Sequence, residues 1–221
     1  MINPIIWMYW EDVPGRRRPP YLDLSLESIR RQTGNATLRV LDPTSVLDWL
    51  TDIQPEVWSS LPGPTYRADY ARTRLVHRYG GLWLDCDVIA LSPLEELFEP
   101  LEHGELVGWG RDLEGRFYNG LFAARPGSPV VGEWIRAQDE VLRGSSDWAS
   151  LSWAALGQDI VGPIARRSRY ANFPSPRVAP VPWYAWRRLL SRLESPRRVL
   201  AYRPVTVMLW NNRLTPYLER V

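Results

Sequence analysis

Asp85 and Asp87 stand one residue apart where an apolar, β-prone run, Leu82-Trp83-Leu84, gives out. Two carboxylates at that spacing, where a chain leaves the pleat of a sheet, can turn together toward one hard cation such as Mn²⁺ or Mg²⁺. The pair by itself says little: with 12 Asp in 221 residues, chance supplies about 0.6 such pairs. Its surroundings carry the information. Upstream, Ala68, Ala71, Leu75 and Tyr79 recur at helical spacing and Gly80-Gly81 ends the run, with Asp69 and Arg72 three residues apart on one face. If only two glycines join helix to strand, the two elements run antiparallel, about 15 Å of helix against about 10–13 Å of strand. Asp69 and Arg72 are then expected in the first helical turn beside Asp85 and Asp87, where the positive end of the helix dipole favours an anionic ligand. A plain Asp69–Arg72 pairing at the helix start is the alternative reading.

The elements that must position these groups alternate in type. Residues 5 to 9 are an apolar run after Pro4 and read as a buried strand, followed by a Pro/Gly/Arg loop to Pro20. Leu22, Leu26 and Ile29 mark one helix face; residues 37 to 41 read as a short strand; Thr44 or Ser45 is expected to cap a helix carrying Val46, Leu47 and Leu50. Residues 105 to 108 and 120 to 124 read as strands and 130 to 142 as a helix. Strand and helix in alternation predict an α/β fold whose ligand lies at the carboxyl ends of the strands, where Asp85 and Asp87 stand. Cys86, pointing the opposite way from Asp85 and Asp87, reads as core, and so does Trp7 earlier in the first strand.

The composition, 45% hydrophobic and 24% charged, suits one soluble globular domain over 1–221. No apolar run reaches the ~18 residues of a membrane span, residues 1 to 7 lack the features of a secretory signal, and Cys86 is the single cysteine. These features lead us to expect a cytoplasmic setting. All 27 basic residues of the Lys+Arg class are arginine. Residues 1–159 carry 15 Arg against 23 acids and residues 160–221 carry 12 Arg against 2, net charges of −8 and +10. Within the basic part, residues 184 to 193 read as an amphipathic helix, with Trp186, Leu189, Leu190 and Leu193 opposite Arg187, Arg188 and Arg192. It is expected either to pack on the core or to rest on an anionic membrane at the cytoplasmic face.

The string R-A-D-Y-A-R-T-R-L-V-H-R-Y-G-G-L-W-L-D-C-D-V-I-A-L-S-P-L, residues 67 to 94, resembles the central signature of the DxD-containing sugar transferases, the family 32 glycosyltransferases and bacterial capsular polysaccharide synthesis proteins. The resemblance extends to I-I-W-M-Y-W at 5 to 10 and F-Y-N-G-L-F-A-A-R-P-G-S-P at 117 to 129. It implies a GT-A nucleotide-sugar-binding fold, a mixed, mainly parallel sheet flanked by helices, with a donor-binding core over 1–140 and an acceptor or C-terminal part over 141–221. By the same resemblance Asp87 is the principal metal ligand and Asp85 contacts sugar, ribose or metal. Asp69 and Arg72 contact the transferred sugar and ribose region. Trp10 stacks on the base, with core packing as its other reading, and Asn119 touches donor or acceptor unless it serves loop backbone. In G-Q-D-I-V-G-P, residues 157 to 163, Asp159 binds a sugar hydroxyl or caps a helix. Many relatives carry a histidine ligand near the C-terminus; this chain has Met208-Leu209-Trp210-Asn211-Asn212 there, so Trp210 is expected over the phosphates and Asn211 at the metal.

The activity so implied is metal-dependent transfer of a sugar from a UDP- or GDP-sugar to a polysaccharide, glycolipid or lipid-linked glycan acceptor, with retention, and with no nucleic-acid partner. Mn²⁺ or Mg²⁺ would neutralise the departing diphosphate. A nucleotidyltransferase would show a glycine-rich phosphate loop after the first strand, which Trp10-Glu11-Asp12 does not offer. A sugar-binding module accounts for the 12 Trp but has no use for Asp69, Arg72, Asp85 and Asp87 together. An inactive relative that binds a nucleotide sugar or glycan is the remaining alternative.

Overall fold

The computed structural model describes residues 4–113, 115–190 and 196–218. β1 (Ile5–Tyr9) leads through the Arg-rich loop to α1 (Tyr21–Gln32), which buries Leu22, Leu26 and Ile29 as their spacing requires. β2 (Thr37–Leu41) returns parallel to β1, with Ile5 opposite Thr37. Two short helices follow, α2 (Ser45–Trp49) and α3 (Pro55–Ser60). The expected cap from Thr44 or Ser45 is absent. Asp42 takes that place, its Oδ1 accepting the N–H groups of Thr44 at 2.9 Å and Ser45 at 2.8 Å.

α4 (Pro64–Tyr79) and β3 (Gly81–Leu84) meet at a joint that only glycine fits. Gly80 and Gly81 have φ of +69° and +105°, and a Cβ on Gly81 would lie 2.4 Å from the Ile5 carbonyl oxygen. The joint returns β3 antiparallel to α4, as the glycine pair predicts. β4 (Val88–Ala90), β5 (Leu106–Trp109) and β6 (Leu121–Ala124) come next, then α5 (Pro129–Gly144) and α6 (Gln158–Arg167). The chain closes with β7 (Ala171–Phe173), α7 (Ser175–Val178), α8 (Pro196–Leu200), β8 (Thr206–Met208) and α9 (Asn211–Leu218).

Six strands form one sheet in the order β2-β1-β3-β6-β5-β7. β1 pairs parallel with β2 and β3, β5 parallel with β7, and of the six only β6 runs the other way. The expected mixed, mainly parallel sheet is therefore present. Its reversed strand matters for the site: the residues entering β6, Asn119 and Gly120, lie at the same edge as the carboxyl ends of β1 and β3. Side-chain alternation divides the core. Trp7, Tyr9 and Trp83 pack with α4 and α5, while Ile6, Met8, Leu82 and Leu84 pack with α1 and a small ribbon of β4 and β8. Trp7 is fully buried, its indole N–H bonded to the Gly80 carbonyl at 2.9 Å, and Cys86 is buried too; both are core, as expected.

Residues 184 to 190 do not form the expected amphipathic α-helix. Trp183–Leu190 is a 3₁₀ stretch kinked at Ala185 (φ −105°, ψ 17°), and Arg192 and Leu193 lie outside the described residues. A 3₁₀ turn repeats every three residues, so Trp183, Trp186 and Leu189 share the edge that packs on the core, leaving Tyr184 and Leu190 exposed. Among the described residues no helix is long and apolar enough to cross a membrane.

Candidate active site

At the carboxyl edge of β1 and β3 lies a cleft of about 520 Å³, lined among others by Trp10, Arg72, Asp85, Asp87, Asn211 and the loop from Glu11 to Pro19. Trp83 and Asp85 follow strand alternation onto the α4 side, and the Trp83 indole N–H donates to Asp85 Oδ1 at 2.8 Å. The backbone N–H of Asp85 donates to the Gly120 carbonyl at 2.8 Å. A Cβ on Gly120 would come within 2.7 Å of Asp85 Oδ2, so a bare backbone here leaves room for the carboxylate. After Asp85 the chain turns instead of continuing as a strand, with Val88 N–H on the Asp85 carbonyl at 3.3 Å. That turn lets Asp87 face the cleft as well, on the side of α1 and α9.

Behind Asp85 the polar groups close on one another. The Arg72 guanidinium is 3.2 Å from Oδ1 of both Asp69 and Asp85, donates to the Asn119 carbonyl at 2.6 Å and lies over the Trp83 ring. Asn119 donates from its side chain to Asp69 Oδ1 at 3.0 Å. Gln138, fully buried, donates to the Asp69 backbone carbonyl at 2.9 Å and to the Leu156 carbonyl at 2.7 Å. Gly157 presses on this group: a Cβ there would lie 2.5 Å from both Asn119 Nδ2 and Asp69 Oδ2. Burial outweighs the charge of Arg72 and raises the Asp69 pKa to about 7.

The Asp87 side differs. Oδ2 accepts the backbone N–H of Asn211 at 2.7 Å, but Oδ1 is buried without a partner among the described residues. Burial, and then the nearby charge of Asp85, raise the Asp87 pKa to about 6. A buried carboxylate oxygen left open beside a second carboxylate fits a bound cation. Among the described residues no three His, Cys, Asp or Glu side chains gather into a metal cage. A divalent ion held here would thus take Asp85 and Asp87 from the chain and fill its other positions with ligand and water oxygens.

The expected site residues separate into two groups. Trp10, Arg72, Asp85, Asp87 and Asn211 line the cleft; Asp69, Asn119, Asp159 and Trp210 do not. Asp69 sits behind Arg72, and it is not in the first turn, because α4 starts at Pro64 and not beside Asp69; the dipole argument does not apply to it. Asp159, in the first turn of α6, accepts from Ser152 Oγ at 2.9 Å and lines a separate depression with Glu133 and Arg136. Trp210 is buried against Trp109 and Tyr118, its indole N–H on the Val181 carbonyl at 2.8 Å, so its ring covers core and not the cleft. It contributes through its backbone, a φ of +58° that directs the next N–H onto Asp87. Asn211 Oδ1 is already engaged by the hydroxyls of Tyr21 and, at 2.6 Å, Thr215. Tyr21, Thr215, Gly120, Gly157 and Gln138 escape sequence reading; no spacing marks them, and only the fold brings them to the site.

Residues 1–103 match a family model described as capsular polysaccharide synthesis protein, which bears out the resemblance. Among curated proteins the chain is 30% identical over 153 residues to the glycosyltransferase afumC of Aspergillus fumigatus, covering 58% of this chain and 38% of that protein. It is 22% identical over 162 residues to the O-glycosyltransferase braB of Annulohypoxylon truncatum, covering 64% and 38%. The chain thus spans well under half the length of these relatives. Two solved structures share its fold. The glycosyltransferase GlyE of Streptococcus pneumoniae superposes with a TM-score of 0.56 at 15% identity, covering 95% of this chain and 55% of that one. Mouse xyloside xylosyltransferase 1 does so at 0.53 and 12% identity, covering 94% and 98%. The expected GT-A fold is thereby borne out.

Proposed function

We propose that this chain, with a capsular polysaccharide synthesis signature in its first 103 residues and the GT-A fold, is a glycosyltransferase that moves a sugar from a UDP- or GDP-sugar to a glycan, polysaccharide or lipid-linked acceptor. The observation that carries it is the buried, open Oδ1 of Asp87 beside Asp85, in a cleft walled by Trp10. Asp85 and Asp87 would hold a Mn²⁺ or Mg²⁺ ion, which would neutralise the charge of a diphosphate leaving group so that no protein acid would be required. The chain's own groups bind and orient. Trp10, partly exposed and fixed by its indole N–H on Asp12 Oδ1 at 2.7 Å, offers a face for the base. Arg72 and Asp85 meet the ribose and the transferred sugar, and Asp69 and Asn119 act as positioning residues that fix Arg72. Carboxylate charge near the anomeric carbon steadies positive charge there, in a reaction that retains configuration. The donor site draws on Asn211 and Thr215 as well as on residues 1–140, and the remainder of 141–221 serves the acceptor.

The test is release of nucleoside diphosphate from a panel of UDP- and GDP-sugars, with and without Mn²⁺, using Asp87→Ala as control. Metal-dependent release from one donor, lost in the variant, is expected, and NMR of the product's anomeric proton reads the configuration. No release and no metal-dependent thermal shift with any nucleotide would sink the reading. A shift without release by any donor or acceptor would favour an inactive nucleotide-sugar-binding relative. A cytoplasmic membrane edge is part of the proposal, reached through exposed Tyr184 and Leu190 near Arg187. Failure to float with anionic liposomes at low salt would remove that part alone.

A further inference from the structure

Four arginines, Arg16, Arg17, Arg18 and Arg72, and four carboxylates, Glu11, Asp12, Asp85 and Asp87, line the cleft, but they do not pair one to one. Arg72 is committed to Asp69 and Asp85, and the cleft residue Glu11 is engaged by Arg67 at 2.6 and 2.8 Å. Arg18 lies 3.7 Å from Asp12 and 3.5 Å from Asp23. Arg16 and Arg17 also line the cleft, are exposed, and have no side-chain partner among the described residues. Their loop contains one turn: Pro14 and Gly15 (φ +78°) are closed by Arg16 N–H on the Val13 carbonyl at 3.0 Å. Pro19 and Pro20 then lead into α1, whose Tyr21 reaches Asn211 at the Asp87 wall. The unpaired arginines and the carboxylate pair therefore face one space.

Charge balance indicates their ligand. In the reading above, a divalent cation added to four arginines and four carboxylates gives the cleft two net positive charges, which match the two negative charges of a nucleotide-sugar diphosphate before the third appears on departure. We propose that Arg16 and Arg17 form an anion-binding wall for that diphosphate in the cleft that also holds the carboxylate pair. Guanidinium groups suit this task because they bind phosphate oxygens in a fork and remain charged throughout the working pH range. The inference rests on the proposed nucleotide-sugar chemistry and adds two residues that the resemblance does not assign.

The experiment is calorimetric titration of UDP and GDP, with Mn²⁺ present, into the wild-type chain, the Arg16→Ala/Arg17→Ala variant and the Arg16→Lys/Arg17→Lys variant. We expect the alanine pair to weaken diphosphate binding about tenfold or more and to flatten its salt dependence, and the lysine pair to recover a large part of the loss. The melting temperature without ligand should not move, because both side chains are exposed and unpaired. Equal diphosphate affinity in wild type and alanine variant overturns the inference while leaving the transferase reading intact. If that equality came with slower turnover only on a lipid-diphosphate acceptor, the pair would belong to the acceptor's phosphate, which also overturns it. A wild type that binds neither nucleotide overturns both.

Discussion

The two walls of the cleft are built on opposite terms. On the α4 wall the buried polar groups are answered from within the chain: Asp69 by Arg72 and Asn119, Arg72 by two carboxylates and two carbonyls, Gln138 by two carbonyls, the Thr73 hydroxyl and the Arg74 guanidinium. On the α1 and α9 wall the chain stops short, with Asp87 Oδ1 buried and unmet and with Arg16 and Arg17 unpaired among the described residues. The first wall is finished when the protein folds; the second is completed by what binds. Substitutions on the two sides should therefore separate stability from function.

The largest effect is expected at Asp87. Asp87→Asn should lower turnover by at least ~10²-fold, since it removes a charge that acts on the reacting diphosphate through the cation. The same variant should leave the metal-free melting temperature unchanged or raised, because an unmet buried charge is lost. A large loss of metal-free stability would show that Asp87 supports the fold. Arg72→Met should act in the reverse sense. Removing the cation shared by two carboxylates, one of them Asp69 with a side chain 4% exposed, should cost about 3–5 kcal/mol in denaturant unfolding. A cost under about 1 kcal/mol would mean that the network does not support the fold. Gly157→Ala, which would place a Cβ 2.5 Å from both Asn119 Nδ2 and Asp69 Oδ2, should cost about 1–3 kcal/mol and lower turnover by displacing Arg72's partners.

How legible each wall is in the sequence follows the same division. Asp69, Arg72 and Asp85 are local: one helix, two glycines and one strand bring them together, and a helical repeat followed by an apolar run reveals all three. Asn119 enters through the resemblance, and its place is fixed by β6 reversing, which nothing in residues 117 to 124 announces. The Asp87 wall is assembled from far apart. The Asn211 N–H that holds Asp87 comes from 124 positions away, delivered by the β4–β8 ribbon and the left-handed backbone at Trp210. Three-residue strands lack the length to show alternation, and a tryptophan at positive φ runs against local preference. The Trp183–Leu190 segment misleads for a different reason, since its apolar residues fit a four-residue and a three-residue repeat at once, and only packing decides for the latter.

The smallest expected effect probes the finished wall through its proton. The Asp69 pKa of about 7 lies above the ~3.9 of an unfolded aspartate, so between those values the folded chain keeps a proton that the unfolded chain has released. Bound protons then favour the fold at the lower pH, and stability must fall as pH rises from about 4 to about 7 and level off above. Asp87, raised to about 6, adds to the slope in the same direction. Glu11 gives the opposite slope only at lower pH: burial raises its pKa, but Arg67 and Tyr9 more than offset that and hold it below the usual carboxylate value. Urea unfolding at pH 5.5 and pH 8 should thus show the wild type less stable at pH 8, and Asp69→Asn should reduce that difference. Saturating Mn²⁺ with UDP should remove the part due to Asp87, which the cation holds ionised, and leave the part due to Asp69. Should Asp69→Asn retain the full slope, Arg72 would be keeping Asp69 ionised across this range. The α4 wall would then carry a fixed negative charge facing the sugar, and the two walls would differ in their partners but not in their charge.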